Sequence, residues 1–315
     1  MSPNKKTKPK GVIVYLSRST EKDIAYLKKS LSLLDVNFND QFNYPVIIFH
    51  EDFGKNLIKE VSESTHSNIN FVKIIFKIPS FLKKEEIPEF IYIRGNYKFP
   101  IGYRHMCRFF TAMVFNHTAL KEYDWFWRFD TDSFLIDKLD YDVFDFMQKH
   151  NYNYGYIFKS YKTKYPEVID GLWSTTKRYI EENNIKPTFL QKHMINGCWD
   201  TSSYFTCFEI TKIDFWRSKE VMNYFNYIDK SGGIYKYRWG DAPLHFLMVS
   251  MFMPEKQVHK FTDIAYRHQE YVNAYSKNWI VHTKLKIMKY SLIGYNILKT
   301  SKVIRKVINL LKIKK

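Results

Sequence analysis

The chain has 315 residues, of which 45% are hydrophobic and 18% aromatic, and its formal net charge is +17. This hydrophobic content is sufficient for a folded core and excludes a largely disordered chain; the length fits one large domain or two small ones. Three cysteines are too few for a disulfide framework, and no apolar run approaches the ~20 residues of a membrane-spanning helix.

The positive charge is concentrated at the two ends of the chain. The first ten residues carry four lysines, and residues 284–315 carry ten Lys or Arg and no Asp or Glu. We predict a disordered basic lead over residues 1–10 and a basic amphipathic helical tail over residues 284–315. The tail's apolar stripe consists of Val303, Ile304, Val307, Ile308 and Leu311. This pattern is typical of a helix lying on an anionic membrane surface, and the alternative is a helix docked on its own domain.

The N-terminus is rich in lysine and proline and has no apolar segment, so we expect no secretory signal. The sequence therefore favours a cytoplasmic or peripherally membrane-bound protein. The middle of the chain is much less basic than its ends, so a nucleic-acid partner is not expected.

The first structural elements alternate between strands and helices. Gly11–Leu16 is a short β-branched run typical of a buried strand, and residues 45–49 and 71–76 are similar. Between the first two strands, Thr20 is a good N-cap for a helix with apolar residues at helical spacing. This order predicts a parallel α/β sheet. Glycine motifs for dinucleotides or for a P-loop are absent from the sequence.

Two arginines lie four residues apart after this region. Arg104 and Arg108 share one face of a predicted helix whose other face is apolar. They are either solvated or directed at phosphate, whose oxygens match the guanidinium group. An acidic motif follows shortly afterwards, which favours the phosphate interpretation.

That motif is Asp130-Thr131-Asp132, which follows the aromatic strand Trp125–Phe129. Two carboxylates at the end of a buried strand are well placed to bind a divalent cation such as Mn²⁺ or Mg²⁺, and Mn²⁺ also accepts imidazole. The candidate imidazoles are His245, His259 and His268, and sequence spacing does not choose among them.

A further carboxylate, Glu209, lies within an aromatic strand predicted over residues 204–210. A buried carboxylate is costly unless it is paired or functional. Glu209 either pairs with a basic residue or faces the anomeric carbon of a sugar, where it could stabilise positive charge or attack.

Several motifs occur in the order found in the fungal Golgi α-1,2-mannosyltransferases of the KRE2/MNT1 type (glycosyltransferase family 15), which the chain resembles over roughly residues 12–271. The resemblance rests on the stretches Leu16-Ser17-Arg18, Tyr103-Arg104-His105-Met106-Cys107-Arg108-Phe109, Tyr123-Asp124-Trp125-Phe126-Trp127-Arg128, Phe208-Glu209-Ile210, Arg238-Trp239-Gly240-Asp241-Ala242-Pro243-Leu244-His245 and Asp263-Ile264-Ala265-Tyr266-Arg267-His268.

The resemblance implies an α/β fold of the GT-A type, a Rossmann-like mixed sheet flanked by helices, as a single catalytic domain over residues 11–283. It also implies Mn²⁺ and retaining transfer of mannose from GDP-mannose to the 2-hydroxyl of a mannose in a glycan acceptor. By motif, the metal ligands are Asp130, Asp132 and His268, and Glu209 falls on the carboxylate proposed as nucleophile. The implied donor and acceptor pocket comprises Arg18, Tyr103, Arg104, Arg108, Arg128 and Asp241.

The sequence departs from this family at two places. The family has Glu-Pro-Asp where this chain has Asp130-Thr131-Asp132, and it carries an N-terminal membrane anchor that this sequence lacks. Two alternatives to a mannosyltransferase remain at this point. One is a transferase of the same fold that uses another nucleotide sugar, and the other is a non-enzymatic basic protein that binds membrane or nucleic acid through its ends.

Overall fold

The computed structural model describes residues 8–94, 97–163, 165–276 and 279–300, with the side chains of the last helix described through residue 289. In chain order, the helices are α1 (Glu21–Leu34), α2 (Asp40–Phe42), α3 (Lys55–Ser62), α4 (Ile101–Arg108), α5 (Val143–Lys149), α6 (Leu172–Glu182), α7 (Ile213–Arg217), α8 (Lys219–Ser231), α9 (Gly233–Tyr237), α10 (Asp241–Phe252) and α11 (Trp279–Thr300). The strands are β1 (Gly11–Leu16), β2 (Val46–His50), β3 (Ile69–Lys73), β4 (Phe90–Ile93), β5 (Tyr97–Pro100), β6 (Trp125–Phe129), β7 (Ser133–Leu135), β8 (Tyr154–Tyr156), β9 (Lys159–Ser160), β10 (Met194–Ile195), β11 (Cys198–Trp199), β12 (Ser203–Tyr204), β13 (Phe208–Lys212), β14 (Val258–Lys260), β15 (Tyr266–His268) and β16 (Tyr271–Asn273).

A seven-stranded sheet in the order β14-β8-β13-β6-β1-β2-β3 forms the centre of the fold. Strands β1, β2, β3 and β6 pair in parallel, and β14 pairs in parallel with β8. Only β13 runs against its neighbours β6 and β8. The mixed α/β sheet predicted from the sequence is therefore confirmed. A smaller sheet, β16-β15-β7, lies next to the end of β6.

Alternating side chains of β6 divide the core between the two faces of the sheet. Trp125, Trp127 and Phe129 pack on the face covered by α1 and α5, whereas Phe126 points to the other face. Arg128 shares the face of Phe126, where its guanidinium contacts the Phe110 ring and Asp241 of α10. Because neighbours in a strand point to opposite faces, one strand fills an apolar core on one side and delivers a charged residue to the other.

Several predicted boundaries agree with the structure, and others need correction. Thr20 caps α1 by accepting a hydrogen bond from the backbone nitrogen of Asp23. The third strand ends at Lys73 instead of residue 76. The strand predicted over residues 204–210 is two strands, because a turn between Tyr204 and Phe208 separates β12 from β13. This break places Glu209 in the central sheet and not at its margin.

The two chain ends were predicted to lie outside the domain. Residues 8–10 belong to the folded chain, since the carbonyl of Lys10 accepts hydrogen bonds from Asp124 and Trp125. The prediction of disorder over residues 1–10 is thus wrong for its last three residues, and the first seven lie outside the described residues. At the other end, α11 packs through Leu285 against Ala265 and Val272. The predicted apolar stripe from Val303 onward lies outside the described residues.

None of the helices within the described residues combines the length and the apolar character that crossing a bilayer requires. The three cysteines, Cys107, Cys198 and Cys207, are free thiols. The structure thus agrees with the sequence in giving no disulfide framework.

Gly233, at the start of α9, packs directly against the ring of Trp239 and leaves no space for a side chain. A Cβ atom there would lie 2.2 Å from the Trp239 ring, which is buried and donates a hydrogen bond to the carbonyl of Asp170. We expect Gly233→Ala to lower the free energy of unfolding by about 2–3 kcal/mol, since overpacking a core forces side chains and backbone to shift. Thermal unfolding would then occur roughly 3–5 °C lower.

Gly102 provides the matched control, because a Cβ there meets nothing within 4 Å. Gly102→Ala lies in α4 and should be neutral or stabilising by up to about 1 kcal/mol, since alanine has the higher helix propensity. Equal melting temperatures for the two variants would contradict the packing proposed for Gly233.

Candidate active site

Three metal-ligand side chains converge at the end of β6. Asp130, Asp132 and His268 each offer one ligand atom, and these atoms lie within 4.8 Å of one another. The imidazole Nε2 of His268 is 3.0 Å from Asp132 Oδ1 and 3.6 Å from Asp130 Oδ2. The structure therefore brings together all three residues predicted to bind metal.

Strand pairing explains why residues so far apart in sequence meet here. A turn in which Ser133 bonds back to Asp130 connects β6 to β7. Strand β15 then pairs antiparallel with β7 so that His268 lies opposite Ser133. This register places the imidazole directly beside the two carboxylates.

Each carboxylate of the cluster has one oxygen anchored and the other directed at His268. Arg128 donates to Asp130 Oδ1 through Nε at 3.1 Å and Nη2 at 3.0 Å, while Gln269 donates to Asp132 Oδ2 at 3.2 Å. Burial raises the pKa of Asp132, but the hydrogen bond and charge of His268 outweigh it and hold this pKa below its ordinary value. Orientation of the ligands by such outer contacts is what a metal site requires.

The chemistry of the donor set fits Mn²⁺. Two carboxylates and one imidazole suit a hard divalent ion that tolerates nitrogen. The cluster is only partly buried, since the side chains of Asp130 and His268 are 30% and 10% exposed. The cluster is therefore partly accessible to solvent.

Arg128 connects the metal cluster to the interior. Its guanidinium donates to Asp241 Oδ2 at 2.5 Å as well as to Asp130, and it lies 3.6 Å from the centre of the Phe110 ring. Burial lowers the pKa of Arg128, but the charges of Asp130 and Asp241 raise it by more. The pKa of Arg128 therefore lies above its usual value. Conversely, burial raises the pKa of Asp241, and the charge of Arg128 more than offsets this. Thr206 adds a hydrogen bond to Asp241 at 2.6 Å.

Glu209 lies in β13, directly opposite Arg128 of β6. Its side chain has no exposed area, and Oε2 lies 3.0 Å from the hydroxyl of Tyr154 and 2.8 Å from His245 Nδ1. Oε1 has no hydrogen-bond partner among the described residues. The pairing interpretation of this carboxylate is correct for Oε2, although the partner is a histidine and not one of the Lys or Arg residues.

The other two candidate histidines are not close to the metal cluster. His245 is the fully buried partner of Glu209. His259 lies in β14, where its ring stacks on Tyr152 at 4.6 Å and packs against Phe146. Of the three imidazoles left open by the sequence, His268 alone joins the two carboxylates within the described residues.

The predicted phosphate-facing roles of Arg104 and Arg108 are wrong in this structure. Arg104 is fully buried and donates to the backbone carbonyls of Pro88, Glu89 and Tyr235. Arg108 forms a bidentate pair with Asp229 at 2.8 Å. The sequence spacing correctly places both arginines on one helix. In the structure, Arg104 points to the loop before β4 and Arg108 points to α8. Arg18 is different, since it follows β1, is 78% exposed and pairs with Asp23.

Tyr103 reaches the site together with a residue that the sequence analysis did not single out. The Tyr103 hydroxyl accepts a hydrogen bond from Arg238 Nη2 at 2.7 Å, and the Arg238 guanidinium lies 4.2 Å from the Phe99 ring centre. Arg238 has a left-handed backbone with φ 66°, a strained conformation for a residue other than glycine. Burial raises the pKa of Tyr103, and the charges of Asp241 and Asp130 make smaller contributions in the same direction.

Two further residues of the site were also missed by the sequence analysis. Thr206 and Tyr154 bind the buried carboxylates of Asp241 and Glu209. A hydroxyl residue in a strand or turn carries no sequence signal for such a contact. Arg238 precedes Trp239 and Gly240 in the stretch that contributed Asp241 and His245 as candidates, and its position next to a glycine-containing turn was the one available signal.

Comparison with known proteins places this site in context. A model of the glycolipid 2-alpha-mannosyltransferase family matches residues 1–292. The chain is 34% identical over 282 residues to the probable mannosyltransferase KTR3 of Saccharomyces cerevisiae, covering 84% of this chain and 68% of that protein. It is 30% identical over 279 residues to the alpha-1,2 mannosyltransferase KTR1 of the same yeast, covering 84% and 70%.

A solved structure is also similar. Core-mannan synthase A (CmsA/Ktr4) of Aspergillus fumigatus, in its Mn/GDP-form, superposes with a TM-score of 0.77 at 25% identity, covering 86% of this chain and 77% of that one. Across the relatives compared, the chain spans 60% to 71% of their length.

Proposed function

Because this chain belongs to the glycolipid 2-alpha-mannosyltransferase family, we propose that it transfers mannose from GDP-mannose to the 2-hydroxyl of a mannose in a glycan, with retention at the anomeric carbon. The observation that carries this proposal is the cluster of Asp130, Asp132 and His268 at the end of β6. The similar core-mannan synthase A was solved in a Mn/GDP-form, and this cluster offers the matching ligands for Mn²⁺.

The residues of this chain divide the work as follows. Mn²⁺ would be held by Asp130 Oδ2, Asp132 Oδ1 and His268 Nε2. These two carboxylate oxygens are available because the other oxygen of each carboxylate accepts a hydrogen bond from Arg128 or Gln269. When bound, Mn²⁺ there supplies Lewis-acid stabilisation of the charge that develops on a leaving diphosphate. Arg128 keeps Asp130 oriented and remains charged, because two carboxylates surround it.

Glu209 supplies the buried negative charge on the other side of Arg128. Retaining glycosyl transfer builds positive charge at the anomeric carbon, and a carboxylate fixed in a dry site stabilises such charge. Support for this role comes from the free Oε1 of Glu209 and from its position opposite Arg128 in the sheet. Asp241 accepts hydrogen bonds from both Arg128 and Thr206 and so holds the Arg128 guanidinium in place.

Arg238 replaces Arg104 and Arg108 as the cation proposed to contact the donor diphosphate. Arg238 forms no ion pair with any of the described residues, and its Nε is buried without a hydrogen-bond partner. A strained backbone that holds a cation between Phe99 and Tyr103 fits a residue kept for ligand binding. An arginine matches phosphate oxygens with two parallel donors.

We expect Arg238→Ala to raise the Kd for GDP in the presence of Mn²⁺ by about tenfold, which corresponds to the loss of one charge-assisted hydrogen-bonded contact. Isothermal titration calorimetry measures this directly. The matched control is Arg178→Ala, which removes one positive charge from an exposed position in α6. An unchanged Kd for Arg238→Ala, with normal folding, would contradict the proposed diphosphate contact.

The proposed function is tested by offering the purified protein a panel of GDP- and UDP-sugars with Mn²⁺ and methyl α-mannoside as acceptor. We expect GDP-mannose to give a turnover at least about tenfold above any other donor. Nuclear magnetic resonance of the product should show an α-1,2 linkage. Preferred use of a UDP-sugar would favour the second candidate, a transferase of the same fold with another donor.

We also propose that the basic C-terminal segment contacts an anionic membrane surface. Residues 271–315 contain no Asp or Glu. Within the described part of α11, Trp279 is 75% exposed and Ile287 63% exposed, while Lys284 and Lys286 are also exposed. Apolar side chains flanked by lysines suit the headgroup region of a membrane.

Flotation of the full chain with vesicles tests the membrane proposal. We expect binding to vesicles that contain phosphatidylserine and little binding to phosphatidylcholine alone, with the difference lost at high salt. Lys284→Glu combined with Lys286→Glu should weaken this binding, whereas Lys177→Glu on α6 should not. Equal binding to both kinds of vesicle would exclude an electrostatic membrane contact.

A further inference from the structure

The carboxylate of Glu209 and the imidazole of His245 are in contact and fully buried. The hydrogen bonds of the imidazole indicate which of its nitrogens carry protons. His245 Nε2 lies 3.0 Å from the carbonyl oxygen of Phe110 and 3.1 Å from that of Thr111. A carbonyl oxygen only accepts, so this ring nitrogen must carry a proton. The other ring nitrogen, Nδ1, faces Glu209 Oε2 at 2.8 Å.

We propose that His245 is an imidazolium, protonated on both ring nitrogens, and that it is the positioning residue that keeps Glu209 ionised and fixes its orientation. An ionised Glu209 has only acceptor oxygens, so Nδ1 must then donate as well. Tyr154 donates its hydroxyl proton to the same oxygen, Oε2. Both donors therefore hold one oxygen and leave Oε1 free.

The alternative is a neutral imidazole beside a protonated Glu209, and the neighbouring charges disfavour it. Arg128 lies opposite Glu209 in the sheet and favours its ionised form. Asp241, one turn before His245 on α10, favours a positive imidazole. Imidazole is also intrinsically the stronger base of the two groups. Each of these effects moves the shared proton to His245.

The surroundings of the pair supply no further ionised group among the described residues that contact it. The ring of Trp216 lies 4.1 Å from the imidazole, centre to centre, and Phe115 lies 6.2 Å away. Aromatic faces attract a cation electrostatically, so this packing also suits the imidazolium. Burial of two charges is tolerated when they pair and are hydrogen-bonded, and here only Oε1 lacks a partner.

The protonation of His245 has a consequence for the reaction, and this step rests on the proposed function. A carboxylate stabilises positive charge at an anomeric carbon, whereas a neutral carboxylic acid does not. His245 touches neither donor nor acceptor, but it sets the charge that Glu209 presents. It also explains why a carboxylate can remain ionised in the centre of a sheet without any exposed area.

The direct test is heteronuclear magnetic resonance of the wild-type protein labelled with ¹⁵N-histidine, at pH 7.5 and without nucleotide. We expect the imidazole of His245, assigned by the loss of its signals in His245→Gln, to carry protons on both ring nitrogens. In Glu209→Gln the same ring should keep the proton on Nε2 and lose the one on Nδ1, because the amide can donate to it. A wild-type His245 with a single ring proton would overturn the proposal. This readout needs no sugar nucleotide, so it is independent of whether the proposed function holds.

Kinetics separate a positioning role from a merely structural one. We expect His245→Gln to lower kcat by about 10- to 100-fold while leaving the KM for GDP-mannose within about twofold. The control is His259→Gln, whose ring packs on Tyr152 away from this pair. A wild-type kcat in His245→Gln would overturn the proposal, and if His245→Gln does not fold, the magnetic resonance result decides.

Discussion

Replacement of His268 by alanine is expected to reduce Mn²⁺-dependent turnover by about three orders of magnitude. His268 contributes the nitrogen ligand of the cluster and is 3.0 Å from Asp132 and 3.6 Å from Asp130. Charge stabilisation by a bound metal is worth several kcal/mol in the transition state, and each ~1.4 kcal/mol is a factor of ten in rate. Asp130→Asn should have a comparable effect, since the amide keeps the shape of the side chain and loses its charge.

The experiment compares kcat for the wild type, His268→Ala and Asp130→Asn over a series of Mn²⁺ concentrations. Binding of Mn²⁺ in the absence of nucleotide should weaken in both variants, which separates loss of metal from loss of fold. His259→Ala is the matched control, because this histidine lies in β14 and packs against Phe146 and Tyr152. Full activity in both cluster variants would show that the metal is held elsewhere.

The second large effect is expected for Glu209→Gln. The amide preserves volume and removes the charge, so we expect kcat to fall by about 10²–10³-fold, as is found when one preorganised electrostatic contact to the transition state is lost. Affinities for GDP and Mn²⁺ should stay near the wild-type values, because Glu209 contacts Tyr154 and His245 and not the metal cluster.

Single-turnover kinetics and calorimetry with GDP measure these two quantities separately. The control is Glu255→Gln, whose exposed carboxylate pairs with Lys192. Wild-type kcat in the Glu209→Gln variant would restrict Glu209 to a packing role. A lower kcat accompanied by an equal loss of GDP affinity would instead indicate a general disturbance of the site.

Local patterns in the sequence predicted the centre of the fold and two of the three metal ligands, Asp130 and Asp132. Short apolar runs identified β1 and β2, and the aromatic run before Asp130 identified β6. These signals are local, because a buried parallel strand is apolar throughout and ends at polar residues. The predicted family and the GT-A-type α/β fold are confirmed by the family match and the similar solved structure. The predicted mannosyltransferase class is confirmed by the family match, and the three predicted metal ligands lie together in the structure.

Long-range pairing decided what the sequence alone left open. His268 reaches Asp132 because β15 pairs with β7, a register that no spacing of histidines reveals. The resemblance to a family, and not the pattern, selected His268 among three histidines. The family-derived pocket was less accurate for Arg104 and Arg108, since α4 turns one toward backbone carbonyls and the other toward Asp229.

Hydrogen bonds in the interior were the least predictable feature of the site. Glu209 was recognised as a costly buried charge, but its partners come from β8 and α10, 55 and 36 residues away in sequence. Arg238 carries no local signal apart from the following Trp239 and Gly240. Its significance depends on a left-handed backbone and two aromatic rings, which are properties of the folded chain.

The most direct test of the metal assignment is a crystal structure of the protein with Mn²⁺ and GDP, recorded so that the anomalous scattering of manganese locates the ion. The expected result is a peak bonded to His268 Nε2 and to a carboxylate oxygen of Asp130 or Asp132, with the diphosphate completing the coordination. A manganese peak at another acidic group, such as that formed by Asp137, Asp140 and Asp263, would contradict the assignment. Bound GDP with no manganese between Asp130, Asp132 and His268 would also contradict it.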